Sequence, residues 1–219
     1  CGRRADLLQA AADGKSRLHP EPMDVTDETS VEDAVSRAAR ARGPVAICVA
    51  NAGIATGGRF LKTSLDQWRG TLAVNLDGAF LTIRACLSTL PEGQWGRVIG
   101  VSSIAGVMGL KGAPAYTASK HGMVGLIRSL SEEFMGGPVT FNALCPGYVE
   151  TEIVAAQIPA LMERKGLTED EARAHVAAGN RHGRLLAPED VAAAALCLCG
   201  PGSQSVNGQA IQIAGGQAG

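Results

Sequence analysis

Short apolar runs alternate along this chain with longer segments in which apolar residues recur at helical intervals. Four runs have the length and flanking turn residues of buried strands, namely residues 45–50, 97–102, 139–145 and 209–213. Residues 18–25 are expected to be extended as well. Strands that alternate with helices are typical of a parallel sheet covered by helices on both faces. The sequence therefore predicts an α/β fold with a doubly wound parallel sheet in three layers.

Helical segments fill the intervals between the predicted strands, at residues 4–12, 29–40, 65–90, 115–134 and 188–199. The 65–90 segment contains Asn75 and ends before Pro91, which predicts one long helix, or two in series, with an interruption near Asn75. Between residues 151 and 186 the pattern is looser, with helix-like stretches at 158–165 and 169–178. We expect residues 151–186 to form a mobile lid over a ligand site.

Length and charge limit the class of protein. The 219 residues suffice for one sizeable core and show no sign of a second one, so residues 1–219 are predicted to form a single domain. The 20 lysines and arginines nearly balance the 21 aspartates and glutamates, which argues against a surface for nucleic acid or anionic lipid. The longest apolar run, residues 191–199, is far shorter than the roughly 20 residues of a membrane-spanning helix.

Cysteine and histidine usage bears on compartment and metal binding. The six cysteines lie in apolar segments and lack the paired spacing of metal ligands, and the four histidines are dispersed along the chain. No signal peptide opens the sequence. A cytoplasmic protein with reduced thiols and no metal site is therefore expected.

Tyr116 and Lys120 are four residues apart on the predicted helix 115–134, so they share one face of that helix. A lysine beside a tyrosine stabilises the phenolate and should lower the pKa of Tyr116 from its usual value of about 10. Ser103, at the end of the strand 97–102, adds a hydroxyl group. These side chains indicate an acid–base site. The alternative is a core tyrosine beside a solvated lysine.

Six motifs, in order along nearly the whole chain, resemble those of the short-chain dehydrogenase/reductase family. They are Asp24-Val25, Asn51-Ala52-Gly53, Asn75, Ser103, Tyr116 with Lys120, and Pro146-Gly147 with Thr151. The resemblance implies a single Rossmann-type domain that transfers a hydride between a nicotinamide cofactor and a carbonyl or alcohol carbon.

The resemblance also implies a role for each catalytic residue. Ser103 and Tyr116 would bind the substrate oxygen, and Tyr116 would supply or accept the proton. Lys120 would bind the ribose hydroxyls beside the nicotinamide, and Asn75 would hold a water that passes protons from Lys120 toward solvent. An asparagine inside a helix is otherwise unfavourable, which independently favours a special role for Asn75.

The remaining motifs are implied to bind the cofactor, together with Tyr116 and Lys120. Asp24 would contact the adenine amino group with Val25 beside the ring, although a turn-forming aspartate is the competing interpretation. The small motif Asn51-Ala52-Gly53 would let the cofactor approach the backbone closely. At the nicotinamide end, the implied ligands are the turn Pro146-Gly147, the backbone of Val149 and the hydroxyl of Thr151.

Arg3 bears on the choice between the two nicotinamide cofactors. Members of the family that use NAD carry a carboxylate at the end of the second strand, where this sequence has Gly2 followed by Arg3. A guanidinium group suits a phosphate dianion, so NADP is favoured over NAD. The alternative is that Arg3 is a solvent-facing arginine at a helix start.

One departure from the family pattern concerns the amino-terminal end. The family begins with a strand and a turn of the form T-G-x-x-x-G-x-G that holds the cofactor pyrophosphate, and this sequence has no such turn. Its opening residues resemble the end of the second strand. We therefore expect that this sequence lacks the amino-terminal strand–helix unit and that the natural protein carries it. The alternative is a truncated, catalytically silent paralogue that binds a ligand or partner without redox chemistry.

The substrate is expected to be a small carbonyl or alcohol compound. Residues 108–111, Tyr148 and the 151–186 lid would line an apolar pocket, and the lid region looks similar to ketoreductases of polyketide and fatty-acyl pathways. This favours a 3-oxoacyl thioester or related ketone over other substrates of the scaffold, with an NAD-dependent secondary alcohol dehydrogenase as the alternative. The resemblance further implies a homotetramer or homodimer.

Overall fold

The computed structural model describes residues 1–217 as a parallel sheet surrounded by helices. The strands are β1 (Ile47–Ala50), β2 (Gly96–Val101), β3 (Val139–Pro146) and β4 (Ala210–Ile213). The helices are α1 (Ala5–Ala12), α2 (Glu28–Arg42), α3 (Leu65–Leu72), α4 (Gly78–Thr89), α5 (Pro114–Glu133), α6 (Glu152–Ala155), α7 (Ile158–Lys165), α8 (Glu169–Ala177) and α9 (Pro188–Cys199).

The strands pair in the order β1-β2-β3-β4, and every pair is parallel. Because β2 and β3 pair from Gly96 with Val139 to Val101 with Leu144, their carboxyl ends lie at the same edge of the sheet. The predicted parallel α/β sheet and its four strands are confirmed. The predicted extended segment at residues 18–25 forms only a single parallel bridge, between Gly2 and Pro22.

Alternate residues of the central strands pack against helices on opposite faces of the sheet. Val98 and Phe141 belong to a large buried cluster with α2, α4 and α5, whereas Ile99 and Leu144 pack with Leu198 of α9. Side chains that alternate along a strand point to opposite faces, so helices cover both faces of the central strands. This arrangement gives the three predicted layers.

One face of the edge strand β1 is open within residues 1–217. Cys48 and Ala50 are buried beneath α4, while the side chains of Ile47 and Val49, which point to the opposite face, are 42% and 45% exposed. The covering by helices on both faces therefore applies to β2 and β3 but not to β1.

The interruption predicted near Asn75 is a single π-helical turn at Ala73–Asp77 that joins α3 to α4. The α3 helix begins at a capping box in which Ser64 and Gln67 satisfy each other's backbone N–H groups, and α4 ends before Pro91. A π turn inserts one extra residue per turn into a helix and is frequent at functional sites. It turns Asn75 into the interior, where its side chain is fully buried.

Residues 151–186 contain α6, α7 and α8, which build a small apolar cluster of their own. Its buried members are Val154, Ile158, Leu161, Ala172 and Val176, and Tyr148 packs against them from the loop after β3. The helices predicted at 158–165 and 169–178 are thereby confirmed. Among residues 1–217, no helix is long and apolar enough to cross a membrane.

Candidate active site

Three of the predicted catalytic side chains meet at the carboxyl edge of the sheet. Ser103 lies two residues after β2, and Tyr116 and Lys120 occupy the first two turns of α5, which begins at Pro114. The Ser103 side chain lies close enough to the Tyr116 phenol to lower its pKa as a hydrogen-bond partner. Ser103 Oγ also accepts a 3.1 Å hydrogen bond from the Ala105 N–H, so its hydroxyl proton remains available for donation.

Both the side chain and the backbone carbonyl of Lys120 are hydrogen-bonded at the end of β2 and the residue after it. Its Nζ donates to Val101 O at 2.8 Å, and its own carbonyl accepts from Ser102 Oγ at 2.9 Å. The ammonium lies 5.7 Å from the centroid of the Tyr116 ring. Only 4% of the residue is exposed, and this burial lowers the pKa of Lys120 to about 8.

The pKa of Tyr116 is shifted in the direction opposite to the sequence-based expectation. Burial of the phenol raises its pKa, and the hydrogen bond from Ser103, which favours the phenolate, only partly offsets this. Tyr148 adds to the increase because its charge would repel a phenolate at Tyr116. The expected lowering by Lys120 is therefore wrong in this structure, where the ammonium donates to Val101 O instead of the phenol.

Asn75 joins the loop after β1 to α5. Its Oδ1 accepts from the Ile54 N–H at 2.8 Å, and its Nδ2 donates to Ile54 O at 2.9 Å and to Ser119 Oγ at 3.0 Å. Ser119 Oγ in turn donates to Tyr116 O at 2.7 Å. Sequence reasoning missed Ser119, whose only signal was its position one residue before Lys120.

Gly53 links Asn75 to Lys120. A Cβ at Gly53 would lie 3.4 Å from both Asn75 Oδ1 and Lys120 Nζ, so the amide and the ammonium border a common space that no side chain fills. The preceding residues Asn51 and Ala52 are exposed and follow β1. The predicted motif therefore lies beside Lys120.

A second group of predicted residues lies at the amino-terminal part of the chain. Asp24 Oδ1 accepts from the Thr26 N–H at 2.9 Å and from Thr26 Oγ1 at 2.7 Å, which is the turn that the competing interpretation anticipated. These hydrogen bonds lower the pKa of Asp24, and the positive charge of Arg3 contributes. Val25 packs against Gly78 at the start of α4, so this group adjoins the π turn.

The loop after β3 is tied to its surroundings by backbone hydrogen bonds. Gly147 N donates to Ile213 O of β4 at 2.9 Å, and Val149 forms a parallel bridge with Leu186. Thr151 is exposed, and its Oγ1 contacts Val149 O at 3.3 Å. Asn180, which sequence reasoning did not single out, clamps the backbone of Tyr148.

Comparisons with known proteins agree with this geometry. A family model described as enoyl-(acyl carrier protein) reductase matches residues 2–218. A D-beta-hydroxybutyrate dehydrogenase of Rhizobium meliloti is 33% identical over 200 residues, which are 91% of this chain and 77% of that protein. The chain belongs to the short-chain dehydrogenase/reductase family. It is therefore an NAD(P)-dependent oxidoreductase by family.

Two further members of the short-chain dehydrogenase/reductase family bear on function in different ways. An inactive 2-(S)-hydroxypropyl-CoM dehydrogenase 2 of Xanthobacter autotrophicus is 36% identical over 193 residues, covering 88% of this chain and 82% of that protein. The crystal structure of a variant of actinorhodin polyketide ketoreductase with NADPH superposes with a TM-score of 0.92 at 30% identity. That match covers 99% of this chain and 85% of the ketoreductase.

The residues of this short-chain dehydrogenase/reductase fit a nicotinamide dinucleotide at two places. Near Lys120, Asn51 and Ala52 are exposed and Gly53 has no side chain, so the ammonium borders a space beside the loop after β1 that suits ribose hydroxyls. Near Asp24, the cationic Arg3 suits a phosphate group. In the described range, 1–217, no group of three or more His, Cys, Asp or Glu could hold a metal ion, and all six cysteines are free.

Proposed function

We propose that this protein reduces a ketone with NADPH, with a 3-oxoacyl thioester or a related compound as substrate, and oxidises the corresponding alcohol in reverse. The proximity of the Ser103 and Tyr116 side chains, beside the buried Lys120, carries this proposal. Two relatives support the substrate class. One is named for a hydroxyl on the third carbon of butyrate, and the other is named a polyketide ketoreductase that was solved with NADPH.

Ser103 and Tyr116 act on the substrate oxygen. Their hydroxyls donate hydrogen bonds to the carbonyl oxygen, which polarises the carbonyl and stabilises the negative charge that develops there. The reduced nicotinamide supplies the hydride to the carbonyl carbon when bound. Tyr116 Oη then transfers its proton to the alkoxide oxygen. The raised pKa of Tyr116 keeps the phenol protonated at neutral pH, as reduction requires.

Lys120 and Asn75 restore the proton of Tyr116. With a pKa of about 8, the Lys120 ammonium can exchange a proton with water near neutral pH. Asn75 Oδ1 borders the same space and has a second lone pair for a water molecule, besides the one that accepts from Ile54 N–H. We propose that this water connects Lys120 to solvent.

We assign cofactor contacts to both the adenine end and the nicotinamide end of the cleft. Asp24 and Val25 would contact the adenine, and Arg3 would pair with the 2′-phosphate, which favours NADP over NAD. The backbone of Asn51, Ala52 and Gly53 would lie along the ribose beside Lys120. At the nicotinamide end, the turn Pro146-Gly147, Val149 and Thr151 would orient the carboxamide.

Residues 151–186 would form the lid of this site within one domain spanning 1–219. Tyr148 supports this, since it packs against the apolar cluster of α6–α8 and interacts electrostatically with Tyr116. The segment therefore adjoins the catalytic phenol through one shared residue. Together with the loop at 108–111, it would select the substrate.

We further propose a cytoplasmic homotetramer or homodimer. The free state of all six cysteines is compatible with a reducing compartment. Exposed apolar side chains on the outer faces of α4 and α9, such as Phe80 at 45% and Leu196 at 72%, suit contacts between copies. Light scattering after size-exclusion chromatography tests the oligomer, and a monomeric mass at micromolar concentration would contradict it.

A catalytically silent binding protein is the second candidate, because the relative with 36% identity is named as inactive. The convergence of Asn75, Ser103, Tyr116 and Lys120 argues for the enzyme, since binding alone does not need this combination of groups. The test incubates the purified protein with NADPH and either acetoacetyl-CoA or cyclohexanone and follows NADPH absorbance. We expect turnover with both, and about tenfold higher kcat/KM for the thioester. NADPH binding without consumption of any ketone would support the silent candidate.

A further inference from the structure

Asn180 is a buried amide in the turn that follows α8. Only 2% of the residue is exposed. Its Oδ1 accepts from the Tyr148 N–H at 2.9 Å, and its Nδ2 donates to Tyr148 O at 2.9 Å and to Arg184 O at 2.7 Å. Both polar atoms of the side chain are therefore hydrogen-bonded to backbone atoms. Two of the three bonds are made to Tyr148, in the loop after β3.

The contact between this amide and the loop requires glycine at position 147. A Cβ on Gly147 would overlap Asn180 Oδ1 and would lie 3.3 Å from the Ala214 side chain. The turn that contains Asn180 is also bound to the residue after β4, because Arg181 N donates to Ala214 O at 2.8 Å. Asn180 thus lies where three segments meet: the loop after β3, the end of the 151–186 segment and the residues after β4.

Leu186 also binds this loop, and it shares one acceptor, Tyr148 O, with Asn180 Nδ2. Leu186 N donates to Tyr148 O at 2.9 Å, and Glu150 N donates to Leu186 O at 2.9 Å. Within residues 1–217, the acceptor for the Tyr148 N–H is Asn180 Oδ1. Loss of the amide would leave that N–H without its partner, whereas the bonds to Leu186 would remain.

We infer that Asn180 is a positioning residue for the nicotinamide end of the cofactor, acting through the backbone of residues 147–151. Val149, whose backbone faces the carboxamide in the proposed function, directly follows the clamped Tyr148. The inference rests on that proposed function. Asn180 itself contacts the loop, and the loop contacts the cofactor, so a change at Asn180 acts on the ligand through the orientation of the Val149 peptide.

A purely structural role for Asn180 makes a different prediction from a positioning role. A structural defect would weaken binding of every ligand, since the whole cleft would be disturbed. A positioning role affects only that part of a ligand which reaches residues 147–151. NADPH and 2′-phospho-ADP-ribose are a suitable pair of probes, because the second contains all of NADP except the nicotinamide.

The experiment measures the affinity of both probes by calorimetry for the wild-type protein, Asn180→Ala and Lys165→Ala. Lys165 is the control, because it forms a hydrogen bond with His175 on the exposed face of the same segment. We expect Asn180→Ala to bind NADPH about tenfold more weakly and 2′-phospho-ADP-ribose unchanged. The control should bind both probes like the wild type.

Two results would overturn the inference while leaving the proposed function intact. One is an Asn180→Ala protein that binds NADPH as tightly as the wild type, and the other is an equal loss for both probes. A wild-type protein that binds 2′-phospho-ADP-ribose as tightly as NADPH would instead contradict the proposed function, because the nicotinamide would then add nothing to the affinity.

Asn180→Asp keeps the test decisive if the alanine variant does not fold. The aspartate retains the shape of the side chain and the acceptor for the Tyr148 N–H but loses both donors. We expect a selective loss of NADPH affinity again, with faster hydrogen exchange at the amides of residues 148–150 and unchanged exchange in β3. A variant that shows normal affinity for both probes would overturn the inference.

Discussion

Lys120 donates a 2.8 Å hydrogen bond to the carbonyl of Val101, the last residue of β2, while its ammonium lies 5.7 Å from the centroid of the Tyr116 ring. This contact joins helix α5 to the end of the central strand β2. The burial of the ammonium at this position lowers the pKa of Lys120 to about 8, because desolvation disfavours the charged form.

Replacing Lys120 by methionine should change how stability depends on pH. The pKa of Lys120 is lower in the folded protein than in the unfolded chain, where it is 10.5. The unfolded chain therefore binds more protons between these two values, and the stability contribution of Lys120 is present above 10.5 and lost as pH falls through 8. As the pH rises from 8 to 10, the unfolding free energy of the wild type should therefore increase by about 2 kcal/mol relative to that of Lys120→Met.

Urea denaturation at pH 7, 8, 9 and 10 measures this difference, and the other titrating groups cancel in the comparison. Lys15→Met is the matched control, because Lys15 is exposed on the surface beside α1. A pH dependence of the stability difference for Lys120→Met no larger than that for Lys15→Met would contradict the assigned burial of the ammonium.

Asn75→Ala should destabilise the protein more than Ser119→Ala. The first change leaves the N–H and C=O of Ile54 without their partner, which should lower the unfolding free energy by about 2–4 kcal/mol. The second removes one hydroxyl that bonds Asn75 and Tyr116 O, with an expected loss of about 1 kcal/mol. Urea denaturation tests the ranking, and equal losses would show that the bonds to Ile54 contribute little.

Gly106→Ala should disturb the contact between the loop after β2 and α5. A Cβ at Gly106 would overlap Ser102 Oγ and lie 2.7 Å from Lys120 O, so we expect a loss of about 1–3 kcal/mol in unfolding free energy. Adding Ser102→Ala should recover only part of this loss, because the clash with the carbonyl remains. Thermal unfolding of the single and double variants measures it.

Gly125→Ala is the control for this prediction, because Gly125 lies on α5 and a Cβ there would meet nothing within 4 Å. Alanine is the better helix former, so this variant should be more stable by about 0.5–1 kcal/mol. Destabilisation of similar size at both glycines would mean that the close approach at Gly106 is not the cause.

Much of the fold was predictable because its signals are local. The four strands, the helix interruption at Asn75 and the helices of the 151–186 segment each follow from apolar periodicity or from an asparagine or proline in a helical pattern. The open face of β1 was not visible in this way. The sequence predicted that Ile47 and Val49 are buried in a strand, and only the arrangement of the helices leaves them exposed.

The sequence predicted that Ser103, Tyr116 and Lys120 lie together, but it did not predict their electrostatics. The spacing of Tyr116 and Lys120 places them on one helix face, but it does not reveal their burial or the hydrogen bond of Lys120 to Val101 O. The predicted direction of the pKa shift of Tyr116 was therefore wrong. Asn180 was missed because two of its three hydrogen bonds are to backbone atoms of Tyr148, 32 residues earlier in the chain. Gly147 was predicted as part of a cofactor-binding turn, and the sequence did not show that its lack of a side chain admits the Asn180 amide.

Comparison of Tyr116→Phe with the wild-type protein is the most direct test of the proposed chemistry. The variant lacks only the hydroxyl that donates the proton, so NADPH affinity, measured by fluorescence titration, should stay within about twofold, while kcat for ketone reduction should fall by about 10²–10⁴. A Tyr116→Phe protein that binds NADPH normally and retains more than about a tenth of the wild-type kcat would contradict the role of this phenol as the proton donor.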